Sequence, residues 1–142
     1  MDNRIWHVGM TVKDVDRSLK FYRDVLGFKV DSESEAKAPS ASQITGIPGT
    51  HTKRAYMSLN GQVIQLLQYL NPVGPVVDPR MNVVGCAHLA LDTGDLSAFL
   101  AHARKHGAPV QSDVVTTGFG FKMCSIRDPD GYTVEVREAA KG

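Results

Sequence analysis

HVGMTVKDVDRSLKFYRDVLGF, residues His7 to Phe28, decides the reading of this chain. It opens with a histidine on an alternating run, in which His7, Gly9 and Thr11 share one face and Val8, Met10 and Val12 the other. An imidazole beside an apolar face is costly to bury unless something bonds it. Seven residues on, Asp14 stands before an amphipathic stretch whose first turn it can cap, and Gly27 marks that stretch's end. The pattern predicts a strand, a helix and a second strand, with an unexplained polar ring on the first strand.

The same pattern recurs in HLALDTGDLSAFLAHARKHGAPV, His88 to Val110. His88 opens an alternating run, Asp95 follows at the same spacing, and Gly107 ends the helical stretch. The likeness extends to the end of each half. SLNGQVIQLLQY (Ser58–Tyr69) and SIRDPDGYTVEVRE (Ser125–Glu138) both carry a tight-turn signal, Asn60-Gly61 and Asp130-Gly131. Four residues after each of those glycines a polar residue stands between apolar neighbours of a strand, Gln65 or Glu135. Each half therefore reads β-α-β-β-β, an α+β organisation. The first module is expected over residues 1–70 and the second over 83–142. The linker, residues 71–82, falls within a stretch whose Pro72, Pro75 and Pro79 exclude helix and central strand.

Composition narrows the function. A chain of 142 residues with 42% hydrophobic residues can build a packed core, and a net charge of +1 without a Lys/Arg run argues against a nucleic-acid surface. No apolar run is long enough to span a membrane, and MDNRIWHV has no signal-peptide layout. Cys86 and Cys124 form no disulfide framework and read as reduced packing residues on strands of a cytoplasmic protein.

Strand alternation puts His7, Gln65, His88 and Glu135 on the face of their strands opposite the apolar, helix-covered one. If the two modules lie side by side as an incomplete barrel, the four converge in its trough. Two imidazoles, an amide oxygen and a carboxylate suit a borderline-to-hard divalent cation, and the absence of cysteine from the set disfavours structural zinc.

These segments, with GQVIQLLQY, CAHLAL and IRDPDGYTVEV, resemble the vicinal oxygen chelate superfamily along nearly the whole chain. That group includes glyoxalase I, methylmalonyl-CoA epimerase, extradiol dioxygenases and the fosfomycin and bleomycin resistance proteins. The resemblance implies paired βαβββ modules around a metal-binding trough, with His7, Gln65, His88 and Glu135 at the metal positions. Two departures are plain. Glyoxalase I usually has Glu where Gln65 stands, and no Glu lies between Glu35 and Glu135 to serve as the epimerase's second carboxylate.

The expectation is a metal-dependent lyase or isomerase of glyoxalase or epimerase type. It would act on a small oxygenated substrate through an enolate held by one divalent ion (Zn, Ni, Co, Mn or Fe), with Glu135 as proton shuttle and His51 or Tyr56 as candidate second base. The alternatives are an Fe(II) extradiol-type dioxygenase using His7, His88 and Glu135, and a fosfomycin-type transferase or non-catalytic small-molecule binder. Arg54, beside Lys53, is a candidate for an anionic substrate, and Phe119 and Phe121 for the trough lining. Trp6 is expected in the core and His102 and His106 at a solvated helix end. Residues 36–54 are expected to form a Gly/Pro-rich flap holding His51 in a flexible loop, and the assembly is expected to be a homodimer.

Overall fold

A computed structural model describes residues 1–138. The chain divides into two compact units, the first Met1–Val76 and the second beginning at Val77.

The first unit runs β1 (Val8–Thr11), α1 (Val15–Asp24), β2 (Lys29–Ala36), α2 (Pro39–Thr45), β3 (His51–Leu59) and β4 (Gln62–Asn71). Its four strands form one sheet in the order β1-β4-β3-β2, with β1 parallel to β4 and the other pairs antiparallel. The expected cap is present: the Asp14 carboxylate accepts from Arg17 N at 3.0 Å. Val15, Leu19 and Tyr22 fall on one side of α1 and are buried against the sheet face carrying Met10, Ile64, Leu66, Ala55 and Met57. Tyr22 donates to Met10 Sδ at 3.4 Å, so its hydroxyl is satisfied inside that core. Asn60-Gly61 turns β3 into β4 with both residues at positive φ, 48° and 80°, the backbone a two-residue hairpin turn requires.

The second unit repeats the order with β5 (Leu89–Thr93), α3 (Leu96–Lys105), β6 (Val115–Thr116), β7 (Lys122–Arg127) and β8 (Thr133–Glu138) in a sheet β5-β8-β7-β6. Asp95 caps α3 by accepting from Ala98 N at 2.8 Å, and Leu96, Leu100 and Ala103 are buried, as are Cys124, Ile126, Val134 and Val136 of the sheet. The Asp130-Gly131 signal marks a wider loop than the tight turn expected. Five residues join β7 to β8, and the buried Asp128 carboxylate accepts from Asp130 N at 2.9 Å and Tyr132 N at 2.8 Å.

Both units share a device that the capping rules do not anticipate. The first backbone N–H of α1, on Val15, donates to Gln68 Oε1 of β4 at 3.0 Å. The first of α3, on Leu96, donates to Glu138 Oε2 of β8 at 2.5 Å. A side chain on the last strand thus satisfies an otherwise orphaned donor at the helix start.

Three expectations are corrected. The 36–54 stretch is a folded excursion: α2 starts at Pro39, Thr50 is buried, and its hydroxyl lies 3.0 Å from that of Thr45 and donates to Ile47 O at 2.7 Å. Trp6 is not core but 71% exposed, because it precedes β1 where no helix covers it. Cys124 is a buried strand residue, but Cys86 lies half-buried ahead of β5, outside any strand.

Candidate functional site

In the first unit the site face is built across three strands. Gly9 of β1, Gln65 of β4 and Tyr56 of β3 lie opposite one another in register, so their side chains share one face. Gln65 Nε2 donates to the Tyr56 hydroxyl at 2.6 Å. Its Oε1 lies over Gly9, 3.5 Å from where a Cβ there would sit. His7 immediately precedes β1 and packs edge-on to Tyr56, with ring centroids 5.3 Å apart, and to Trp6 at 4.7 Å. Trp6 stacks on Tyr56 at 5.8 Å and 16°. His7 Nδ1 is buried without a hydrogen-bond partner. A buried polar atom left open in this way requires an explanation, and coordination of a ligand is one.

His51 lies on the other face. It pairs with Glu35, which sits opposite Lys53 in the β2–β3 register, and Lys53 reaches Asp16 of α1 at 2.7 Å. That contact, reinforced by the carboxylates around it, holds the Lys53 ammonium above its ordinary pKa. The structure therefore separates His51 from Tyr56 and Lys53 from Arg54. Arg54 stays on the Tyr56 face, two residues along β3, and donates from Nε to Ser34 Oγ at 2.9 Å.

In the second unit the matching row is Ala90, Glu135 and Ser125. His88 precedes β5 as His7 precedes β1, and its Nε2 lies 3.5 Å from Glu135 Oε2. Glu135 is on the wall of an open groove of about 530 Å³, lined also by Asp92, Phe119, Phe121, Met123 and Arg137. Phe119 and Phe121 stack at 6.2 Å and 12°, and the Arg137 guanidinium sits 5.0 Å over the Phe121 ring. Arg137 also grips Asp92 through two bonds of 2.5 and 2.7 Å. Those bonds hold the Asp92 carboxyl below its ordinary pKa and raise that of Arg137.

Each unit thus offers one imidazole and one oxygen donor on its open sheet face, His7 with Gln65 and His88 with Glu135. Among the described residues no group of three or more His, Cys, Asp or Glu is close enough to hold a metal. The donor chemistry and the open Nδ1 of His7 nevertheless fit a divalent cation. His102 and His106 lie at the end of α3, where His106 Nδ1 is 2.9 Å from the His102 carbonyl oxygen. Sequence reasoning named neither Asp92 nor Arg137 for the site. Their parity with His88 and Glu135 is the signal that finds them.

A family model described as Glyoxalase/Bleomycin resistance protein/Dioxygenase superfamily matches residues 4–136. Over 136 residues the chain is 28% identical to an uncharacterised protein of Escherichia coli (strain K12), covering 95% of each. It is 27% identical over 136 residues to a lactoylglutathione lyase of Haemophilus influenzae, covering 95% of this chain and 92% of the other. Identity to a catechol-2,3-dioxygenase of Bacillus subtilis is 27% over 142 residues, covering 95% of this chain but only 41% of that protein. The crystal structure of a glyoxalase family protein from Bacillus cereus matches with a TM-score of 0.85 at 20% identity, over 96% of each chain, a likeness of fold.

Proposed function

This chain belongs to the Glyoxalase/Bleomycin resistance protein/Dioxygenase superfamily, and on that premise we propose that it is a metal-dependent lyase or isomerase acting on a small substrate with neighbouring oxygens. The observation that carries the reading is the His88–Glu135 pair, with Nε2 and Oε2 at 3.5 Å on the groove wall, matched in the first unit by His7 and Gln65 at equivalent places in the sheet. The four side chains are the proposed donors of one divalent cation. When bound, such a cation supplies Lewis-acid polarisation of the substrate's oxygens.

The remaining chemistry belongs to the chain. Glu135 is the ionisable oxygen donor of the set, and its carboxylate removes the proton from the carbon beside the oxygen-bearing one. Delivery of a proton to the opposite face of that carbon inverts its configuration; delivery to the neighbouring carbon, with the first carbon's hydroxyl proton passing to the neighbour's oxygen, completes an isomerisation. Neither needs an oxidant. Phe119, Phe121 and Met123 pack the apolar part of the substrate. Arg137 is already neutralised by Asp92 and does not compete for Glu135. Arg54 is the proposed cation toward a substrate anion on the first unit's face. The homodimer and cytoplasmic location belong to the same proposal; among the described residues no helix is long and apolar enough to cross a membrane.

The dioxygenase reading draws on the stacked Phe119–Phe121 pair, which suits an aromatic diol. One experiment separates the two. Metal content is measured on protein purified without added metal, and the protein is then assayed with the metal found. Zinc, nickel, cobalt or manganese, with exchange of a substrate α-proton into solvent, is the expected result. Iron with oxygen uptake sinks the lyase reading in favour of the dioxygenase. Absence of any stoichiometric metal sinks both.

A further inference from the structure

The two rows across the sheets differ at one position in a way that follows from their donors. Beside Glu135 the neighbouring strand offers Ser125, and no hydrogen bond joins them among those the structure shows; beside Gln65 it offers Tyr56, bonded at 2.6 Å. A carboxylate has two equivalent oxygens, so either rotamer presents an acceptor. A primary amide does not: one end accepts and the other donates, and an amide turned the wrong way presents two N–H groups to a cation. The Tyr56 hydroxyl takes the Nε2 end. In that arrangement Oε1 lies over Gly9, the β1 residue two places from His7 and on the same face. The same tyrosine ring packs edge-on to His7 and face-on to Trp6.

We propose that Tyr56 is a positioning residue that fixes the amide of Gln65 with its oxygen toward the cation, and that it is not the second base. The inference rests on the reading of Gln65 as a metal donor. Tyr56 has no counterpart duty in the second unit because Glu135 needs no orientation.

The test is a titration of the purified chain with Mn²⁺, Co²⁺, Ni²⁺ and Zn²⁺, using whichever binds one per chain most tightly. Wild type is compared with Tyr56→Phe, Gln65→Glu, the double variant and Gln65→Ala. Tyr56→Phe keeps the ring against His7 and Trp6 and removes only the hydroxyl. With Gln65 present, its loss is expected to weaken the cation about 10-fold, the usual scale for a partner that orients a ligand. In the Gln65→Glu background the same change is expected to weaken binding less than about 2-fold, because a carboxylate needs no orienting. Equal weakening in both backgrounds means that Tyr56 acts through its packing and overturns the proposal, as does no weakening in either. If Gln65→Ala binds as tightly as wild type, Gln65 is no donor, and the metal reading of that residue fails first, taking this one with it.

Discussion

Replacing Glu135 with Gln tests the proposed chemistry at its centre. The substitution preserves size and one oxygen, and the surroundings accept it: the flanking residues are Ala90 and Ser125, and the groove beyond is open. The side chain is 26% exposed and faces the half-exposed His88 at 3.5 Å, so no buried ion pair is broken. Folding stability is therefore expected to change by less than about 0.5 kcal/mol, checked by chemical denaturation. The catalytic cost is separate. Loss of a positioned base removes about 10²-fold or more in turnover, roughly 2.7 kcal/mol or more of barrier. The cation is expected to bind more weakly, so turnover and exchange of the substrate α-proton with deuterated solvent are compared at saturating metal, where both fall together. If excess metal restores the activity, Glu135 is only a ligand. A Glu135→Gln protein with wild-type turnover at wild-type metal content refutes the mechanism.

Further outcomes follow from the fold. Leu66 is fully buried between Met10 and Ala55 in the sheet register, and Leu66→Ala is expected to cost about 2–5 kcal/mol, read from the denaturation midpoint. Gln68→Leu and Glu138→Leu each strip the first N–H of a helix of its acceptor and are expected to destabilise by about 1 kcal/mol apiece; a neutral result for both discounts the strand-borne caps. Because Arg137 depresses the Asp92 pKa, their mutual stabilisation is complete above the ordinary aspartate range and is lost as pH falls through the lowered value. An NMR titration of the Asp92 carboxyl is expected to show a midpoint that rises in Arg137→Gln; an unchanged midpoint contradicts the assignment.

The duplicated modules were legible because their signals are local. Asp14 and Asp95 cap, Gly27 and Gly107 lie in the turns just beyond the helices, and the period-two faces of β4 and β8 single out Gln65 and Glu135. The failures were of two kinds. Gly46, Pro48 and Gly49 read as a flexible loop, but the glycines end α2 and turn into β3, and the ordering comes from hydroxyls of Ser42, Thr45 and Thr50 that only the folded chain brings together. Nearness in sequence sets His51 and Lys53 beside Tyr56 and Arg54, whereas residues an odd number apart along a strand point to opposite faces, and Glu35 and Asp16 hold the first two on the helix side. The strand-borne caps had a readable sign: Gln68 and Glu138 stand three residues after Gln65 and Glu135, so the repeat extends one polar position beyond the donors.

That offset ties the donors to the folding of each unit. Three residues along a strand reverse the face, so each last strand presents one polar residue to the open side and one to the helix start: Gln65 and Gln68 on β4, Glu135 and Glu138 on β8. A one-residue slip of β4 or β8 would turn the donor into the core and at once remove the acceptor from Val15 or Leu96. The bond at the helix start therefore stabilises the register that places the donor. Gln68→Leu is then expected to lower the proportion of chains that bind the cation as well as overall stability, whereas Leu66→Ala, which leaves the register intact, should lower stability alone. Metal stoichiometry measured on both variants well below their denaturation midpoints distinguishes the two effects, and equal stoichiometry in both shows that register does not depend on the cap.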